Sequence, residues 1–165
     1  MLENIDIVKA VHQAMQTEKD ARDFYHLGAK YMQDERARKT FELLAREEEQ
    51  HARWFYEIYP GEEVPDFEAF IAAEPDDDSS WLSETDKLSL SEMNERKAME
   101  LAMEKELHLE KNLRALVDKI ADEQVRKVFI KNADSTHHHY ELIESEYARL
   151  MGMVHETDID TYVRE

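Results

Sequence analysis

The sequence predicts an all-α protein, an antiparallel four-helix bundle made of two repeated helical hairpins joined by a long crossover. Three observations lead there. Glycine and proline are scarce, three of each in 165 residues, while Glu, Lys, Ala, Leu and Met abound; that composition favours long helices with few turns. Four long segments carry an apolar stripe at helical spacing. The two halves of the chain also repeat one another at a single offset, so that Glu18 returns 88 positions later as Glu106.

The elements follow in order, within one domain spanning residues 1–165. The first hairpin covers residues 5–59. Its first helix runs from Ile5 to Met32, with Asn4 or Asp6 as N-cap and Val11, Ala14, Ala21, Tyr25 and Met32 on the apolar face. Its second helix runs from Asp34 to Tyr59 and stops at Pro60-Gly61, with Ala37, Phe41, Leu44, Phe55 and Ile58 on its stripe. Residues 60–88 are too long for a tight helix connection. They read as the crossover, with a short helix at Phe67–Ala73 and an acidic run at Asp76-Asp77-Asp78.

The second hairpin covers residues 89–151. Ser89 and Glu92 have capping-box spacing. The third helix continues to Ile120 with Met99, Ala102, Leu109, Leu113, Leu116 and Ile120 on one face. The fourth helix runs from Asp122 to Met151 and is expected to end at Gly152, leaving a tail over 152–165. The repeat binds the halves together. Ala10 and Ala14 return as Ala98 and Ala102, Asp34-Glu35 as Asp122-Glu123, and Phe41, Ala45, His51 and Tyr59 as Phe129, Ala133, His139 and Tyr147, all without a gap.

Charge and composition exclude several functions. The formal net charge of −18 repels nucleic acid and anionic membranes. With no cysteine, disulfides, thiol catalysis and iron–sulfur clusters are out. No stretch is apolar enough to span a bilayer and no export signal is visible, so a cytoplasmic location is expected.

Polar residues interrupt the stripes at mid-length: Glu18 in the first helix, Glu48 and His51 in the second, Glu106 in the third, Thr136 and His139 in the fourth. Glu48 and His51, three apart, project from one helix face. Glu18 and Glu48 lie equally far from the turn near Gln33, about 22 Å at the helical rise, so antiparallel packing sets them in one layer. Buried carboxylates in one layer are costly unless a cation neutralises them. Carboxylate and imidazole donors suit iron or manganese, with zinc as a further substitute. In the run His137-His138-His139 only His139 has a repeat partner, and successive helical residues diverge by about 100°, so His137 and His138 are expected at the surface near Glu141.

At these residues the chain resembles the ferritin-like superfamily and, within it, the rubrerythrin-type di-iron carboxylate proteins. The segments EKDARDFY around Glu18, FELLAREEEQHARWF around Glu48 and His51, and AMELAMEKE around Glu106 carry the resemblance. It implies a di-iron site with Glu18, Glu48, His51, Glu106 and His139 as metal ligands, Glu48 bridging, and Tyr25 as the catalytic tyrosine beside the metals. It further implies reduction of peroxide or oxygen, or oxidation of ferrous iron. Four features depart from the pattern: Leu109 stands where rubrerythrins add a Glu three residues after the third-helix ligand, the repeat partner of Tyr25 is Leu113, and two more bear on the metals. Thr136 stands where the family has a second bridging Glu, and the Cys-rich iron domain of rubrerythrins is missing, so the electron donor is expected to be another protein. Thr136 also keeps open a second reading, a scaffolding or binding bundle with a degenerate metal site. The aromatic run Trp54-Phe55-Tyr56 suggests a homodimer, since one bundle is not expected to bury all three rings.

Overall fold

The computed structural model describes residues 6–64, 66–75, 79, 81–83 and 95–163, with side chains described as far as residue 152. It contains helices α1 (Ile7–Tyr31), α2 (Glu35–Glu57), the short α3 (Phe67–Ala72), α4 (Glu95–Val117) and α5 (Glu123–Val163). Among the described residues there is no strand.

Local chemistry sets the helix starts. The Asp6 carboxylate accepts from the Lys9 N–H, and Asp34 and Asp122 cap α2 and α5 in the same way, accepting from Ala37 at 2.9 Å and Val125 at 3.0 Å. The two latter caps are repeat partners, so both hairpins turn on one device. Of the two expected caps for α1, Asp6 takes the role, and Asn4 lies outside the described residues. Glu95, in the first turn of α4, accepts from the N–H groups of Gln33 and Asp34, tying the second hairpin to the turn of the first. The Ser89–Glu92 capping box and the Asp76-Asp77-Asp78 run lie outside the described residues.

α1 packs on α2 and α4 packs on α5, and α2 and α5 lie side by side between the hairpins. The expected stripes are the buried faces: Val11, Ala14, Ala21, Tyr25 and Met32 from α1, Phe41 and Leu44 from α2, Met99, Ala102, Leu109 and Leu113 from α4, and Phe129 and Ala133 from α5. The repeat partners Phe41 and Phe129 are both fully buried, Phe129 edge-on to Phe55 at 4.9 Å. Two charged contacts, Arg149 to Asp34 at 2.9 Å and Arg36 to Glu146 at 3.2 Å, join the middle of α5 to the start of α2.

The sequence reading needs correction at three places. Gly152 does not end the last helix, which runs on to Val163. A glycine stops a helix by adopting positive φ, and no described glycine does so. Nor does a proline come after Gly152, as Pro60 comes after the second helix. α4 closes at Val117 rather than Ile120, the chain tightening through Lys119 N–H to Leu116 and Ile120 N–H to Val117 while Ile120 stays buried. The crossover is also more than a connection. Ser79 Oγ accepts from the N–H groups of Trp81 and Leu82, and both side chains are buried. Trp81 packs on Phe24 and Tyr25, with centroids 5.4 and 5.7 Å away.

The three rings expected to call for a second copy find partners within the chain. Phe55 is buried, Tyr56 packs on Phe67 at 5.3 Å, and Trp54 lies against His51 at 5.1 Å. The homodimer therefore stands as a proposal for which these rings give little reason.

Candidate metal centre

Of the six side chains that the resemblance assigns to the site, five form one buried cluster at mid-bundle, and the sixth touches it. Glu18, Glu48 and Glu106 are fully inaccessible, and His51 and His139 nearly so. His51 Nδ1 lies 3.5 Å from Glu18 Oε2 and 3.4 Å from Glu48 Oε2. His139 Nδ1 lies 2.7 Å from Glu48 Oε1 and 3.6 Å from Glu106 Oε1. Glu48 is thus shared by two half-sites, each with its own imidazole and its own second carboxylate. Glu48, His51 and His139 each offer one donor atom, and these three atoms all lie within 4.8 Å of one another. The two imidazoles, which are repeat partners, stack with centroids 4.8 Å apart and planes 6° from parallel.

Tyr25 is the sixth. Its hydroxyl donates to Glu106 Oε1 at 2.5 Å, so it touches a candidate ligand while lying about two turns along α1 from Glu18. Its repeat partner Leu113 is buried and offers no such group. His137 and His138 are exposed as expected, His137 bonded to Glu110 at 3.0 Å and His138 near Glu141 at 3.3 Å.

The far nitrogen of each histidine is also held. His51 Nε2 meets Ser135 Oγ at 2.7 Å, and His139 Nε2 meets Glu47 Oε1 at 3.1 Å. Such an outer partner fixes which ring nitrogen faces inward and aims it. The sequence reading missed both residues, although the repeat carried a signal: Glu47 and Ser135 share the 88-residue offset and each precedes a site position, Glu48 or Thr136. The two outer partners differ, one a carboxylate and one a hydroxyl, so the two-fold is broken outside the ligands as well as at Thr136. Trp81 was missed too; its signal was a lone indole in an otherwise polar stretch.

Proton affinities report the strain of this cluster. Burial, and then the negative Glu48 beside it, pushes Glu18 well above the usual carboxylate range. Burial and Glu48 likewise lift Glu106, to about 7. Burial alone would raise Glu48, but His51 and His139 overturn that and hold it well below its ordinary value. His51 is lifted to about 10 against burial by Glu48 and Glu18, and His139 is raised by Glu48, Glu106 and Glu47. Burial and the three carboxylates raise Tyr25, which keeps its phenol protonated. Glu18, Glu106, His51 and His139 are all shifted toward their protonated forms.

Protons do not satisfy every atom. Both oxygens of Glu18, Glu48 Oε2, Glu106 Oε2, His51 Nδ1 and Thr136 Oγ1 are buried without a hydrogen-bond partner. Buried polar atoms are nearly always paired, so a cluster of orphans calls for an occupant. Nearly all of these are oxygen or imidazole donors pointing into one space, the chemistry of a hard or borderline divalent cation. The Rubrerythrin family model matches residues 9–147. The chain belongs to the rubrerythrin family. Compared with curated proteins and with solved structures, it gives no match. Rubrerythrins are a ferritin-like di-iron family, and in this member the matched span takes in all the clustered residues. The residues present fit a metal pair: two half-sites, one shared carboxylate and one imidazole each. They fit it incompletely at Thr136, which is buried on the same helix face as His139 but carries no charge. Among the described residues no helix is long and apolar enough to cross a membrane.

Proposed function

We propose that this rubrerythrin-family bundle holds a di-iron centre on Glu18, Glu48, His51, Glu106 and His139 and uses it to reduce peroxide to water. The observation that carries the reading is the sharing of Glu48 between His51 and His139, 3.4 and 2.7 Å away, with Glu18 and Glu106 on the two outer sides. An iron pair bound there would supply the two electrons that split the O–O bond, with two protons taken up and two waters formed. The same site would serve oxygen reduction or ferrous iron oxidation. Manganese or zinc would bind to the same donors.

The chain's own residues do the rest. Tyr25 Oη, 2.5 Å from Glu106 Oε1, donates its O–H to that carboxylate and keeps it turned toward His139. Glu47, with its side chain 44% exposed, joins His139 Nε2 to solvent and offers a path for protons. Phe24, Phe41 and Trp81 close the space around Tyr25 and exclude water. An electron donor outside the bundle and a cytoplasmic location complete the proposal. The test mixes anaerobically iron(II)-loaded protein with hydrogen peroxide. Bound iron should be oxidised much faster than free iron(II) in the same buffer and much faster than iron added to Glu48→Ala; oxidation at the rate of free iron, or no oxidation, refutes the reading.

A second reading, a binding or scaffolding bundle with a degenerate site, is favoured by one observation. Thr136 is fully buried with its hydroxyl unpartnered, at the place of a bridging carboxylate. Metal content after aerobic purification separates the two, about two irons per chain for the redox protein and none for the scaffold.

A further inference from the structure

Trp54 is a large ring beside the centre that takes no part in holding the metals. Its indole stacks on His51, with centroids 5.1 Å apart and planes 25° from parallel. His51 stacks in turn on His139 at 4.8 Å. The three rings form an unbroken π column that begins at both half-sites and ends at a half-buried indole on the α2–α5 face. Over the indole lies Lys131, its Nζ 3.8 Å from the ring centroid. Lys131 and Lys127, one turn apart on α5, are both exposed, and they put positive charge at this spot on a chain whose net charge is −18.

We propose that Trp54 is the electron-entry point of the metal centre, where a one-electron donor with a negative contact face docks against Trp54 and Lys131. The proposal rests on the redox reading of the centre. The donor loses one electron; it crosses Trp54 and His51, lowers the charge of one oxidised metal ion by one, and is balanced by one proton taken up at the site. A second donor repeats this for the second ion. No bond to Trp54 forms or breaks. Stacked rings in contact shorten the through-space gap that an electron must cross, and transfer falls steeply with that gap. A cation on the indole face opposes loss of an electron from the ring. Trp54 therefore bridges inward transfer while resisting oxidation by the centre it serves. Lys131 also gives a negative donor a landing site on a surface that otherwise repels it.

The test compares wild type with Trp54→Phe, Trp54→Leu and Lys131→Glu. Iron-loaded protein is oxidised with ferricyanide, desalted, and mixed in a stopped-flow instrument with reduced propyl viologen sulfonate, a negatively charged one-electron donor. Trp54→Leu should slow reduction severalfold, Trp54→Phe should fall between it and wild type, and Lys131→Glu should slow it at low salt but not at high salt. Iron stoichiometry and the oxidation of reduced iron by peroxide should stay as in wild type. A readout independent of turnover is tryptophan emission on cobalt(II) addition, whose loss should shrink markedly in Trp54→Phe. Reduction of Trp54→Leu at the wild-type rate overturns the proposal. So does loss of iron from Trp54→Leu and Trp54→Phe alike, which makes the indole a packing residue for His51. Failure of wild type to react with peroxide refutes the proposed activity instead, since ferricyanide and viologen do not depend on it.

Discussion

Thr136→Glu is the most informative single change. Three carboxylates, Glu18, Glu48 and Glu106, supply three negative charges to the cluster, whereas two divalent ions bring four positive ones. The wild-type site is therefore left one charge short of neutral, in a place where all three carboxylates are fully buried. A new carboxylate about 4 Å from a metal ion gains roughly 4 kcal/mol per unit charge at the effective dielectric of protein sites. Desolvating the new carboxylate returns several kcal/mol of that. Packing the larger side chain into the space of a threonine costs about 1–3 kcal/mol. Two positive charges on the ion double the attraction to about 8 kcal/mol, so a net gain of a few kcal/mol remains after these costs, or at least about a tenfold tighter second metal. The sign reverses without metal, because a fourth buried carboxylate then has no counter-charge, and the metal-free variant should melt below wild type. The assay is anaerobic iron(II) titration against a competing chelator, with calorimetry of both proteins in both states. In wild type the half-site at Glu18, Glu48 and His51 should fill first and the one at Glu106 and His139 more weakly. Two equally tight sites in wild type, or an unchanged second affinity in Thr136→Glu, would refute the charge argument.

Three further outcomes are expected. Glu48→Ala should lower metal affinity more than any other single ligand change, by at least a hundredfold if losing the shared partner costs about 3–5 kcal/mol; full iron stoichiometry in that variant would contradict a shared Glu48. Glu106 at about 7 and His51 at about 10 both lie above their ordinary values of 4.5 and 6.5, so the stability they give the metal-free fold is complete below those ordinary values and is lost as pH rises through 7 and 10. The depressed Glu48 acts only at lower pH, its contribution being lost as pH falls below 4.5. Metal-free protein should thus melt lower at pH 9 than at pH 6, while metal, which needs deprotonated ligands, binds more tightly at pH 9; a metal-free melting temperature that rises over this range would be inconsistent with the cluster. Glu47→Gln should weaken metal binding about ten- to hundredfold, in line with loss of an outer carboxylate, and Ser135→Ala should cost less because a hydroxyl is the poorer acceptor; chelator competition that ranks them in reverse would show that the outer partners do not tune the histidines.

Much of this was legible in the residues because two periodicities agreed. The helical stripe fixed which faces are buried, and the 88-residue repeat fixed which hairpin residues are equivalent. Where both marked a polar residue, as at Glu18, Glu106, His51 and His139, the structure places it in the cluster. Glu48 was marked by the stripe, by its spacing to His51 and by its level opposite Glu18, but not by the repeat, yet it became the centre. What stayed hidden depends on rotamer and depth. Glu47 and Ser135 sit one residue beside the stripe, and only the orientation of each imidazole shows that its far nitrogen reaches across to the other hairpin. Trp81 belongs to a stretch without periodicity, where nothing local says that an indole will seal a tyrosine. Gly152 misled because glycine ends a helix only when the chain turns left-handed there, a choice made by the neighbouring residues rather than by glycine itself.

The central claim is that five named side chains hold a metal pair around Glu48. An anomalous difference map, measured at the iron absorption edge on a crystal of iron-loaded protein, tests it most directly. The account expects two peaks inside the bundle, one bounded by Glu18, His51 and Glu48 and a second, weaker one by Glu106, His139 and Glu48. Density confined to the exposed His137, His138 and Glu141 group, or no peak between the helices, would contradict it.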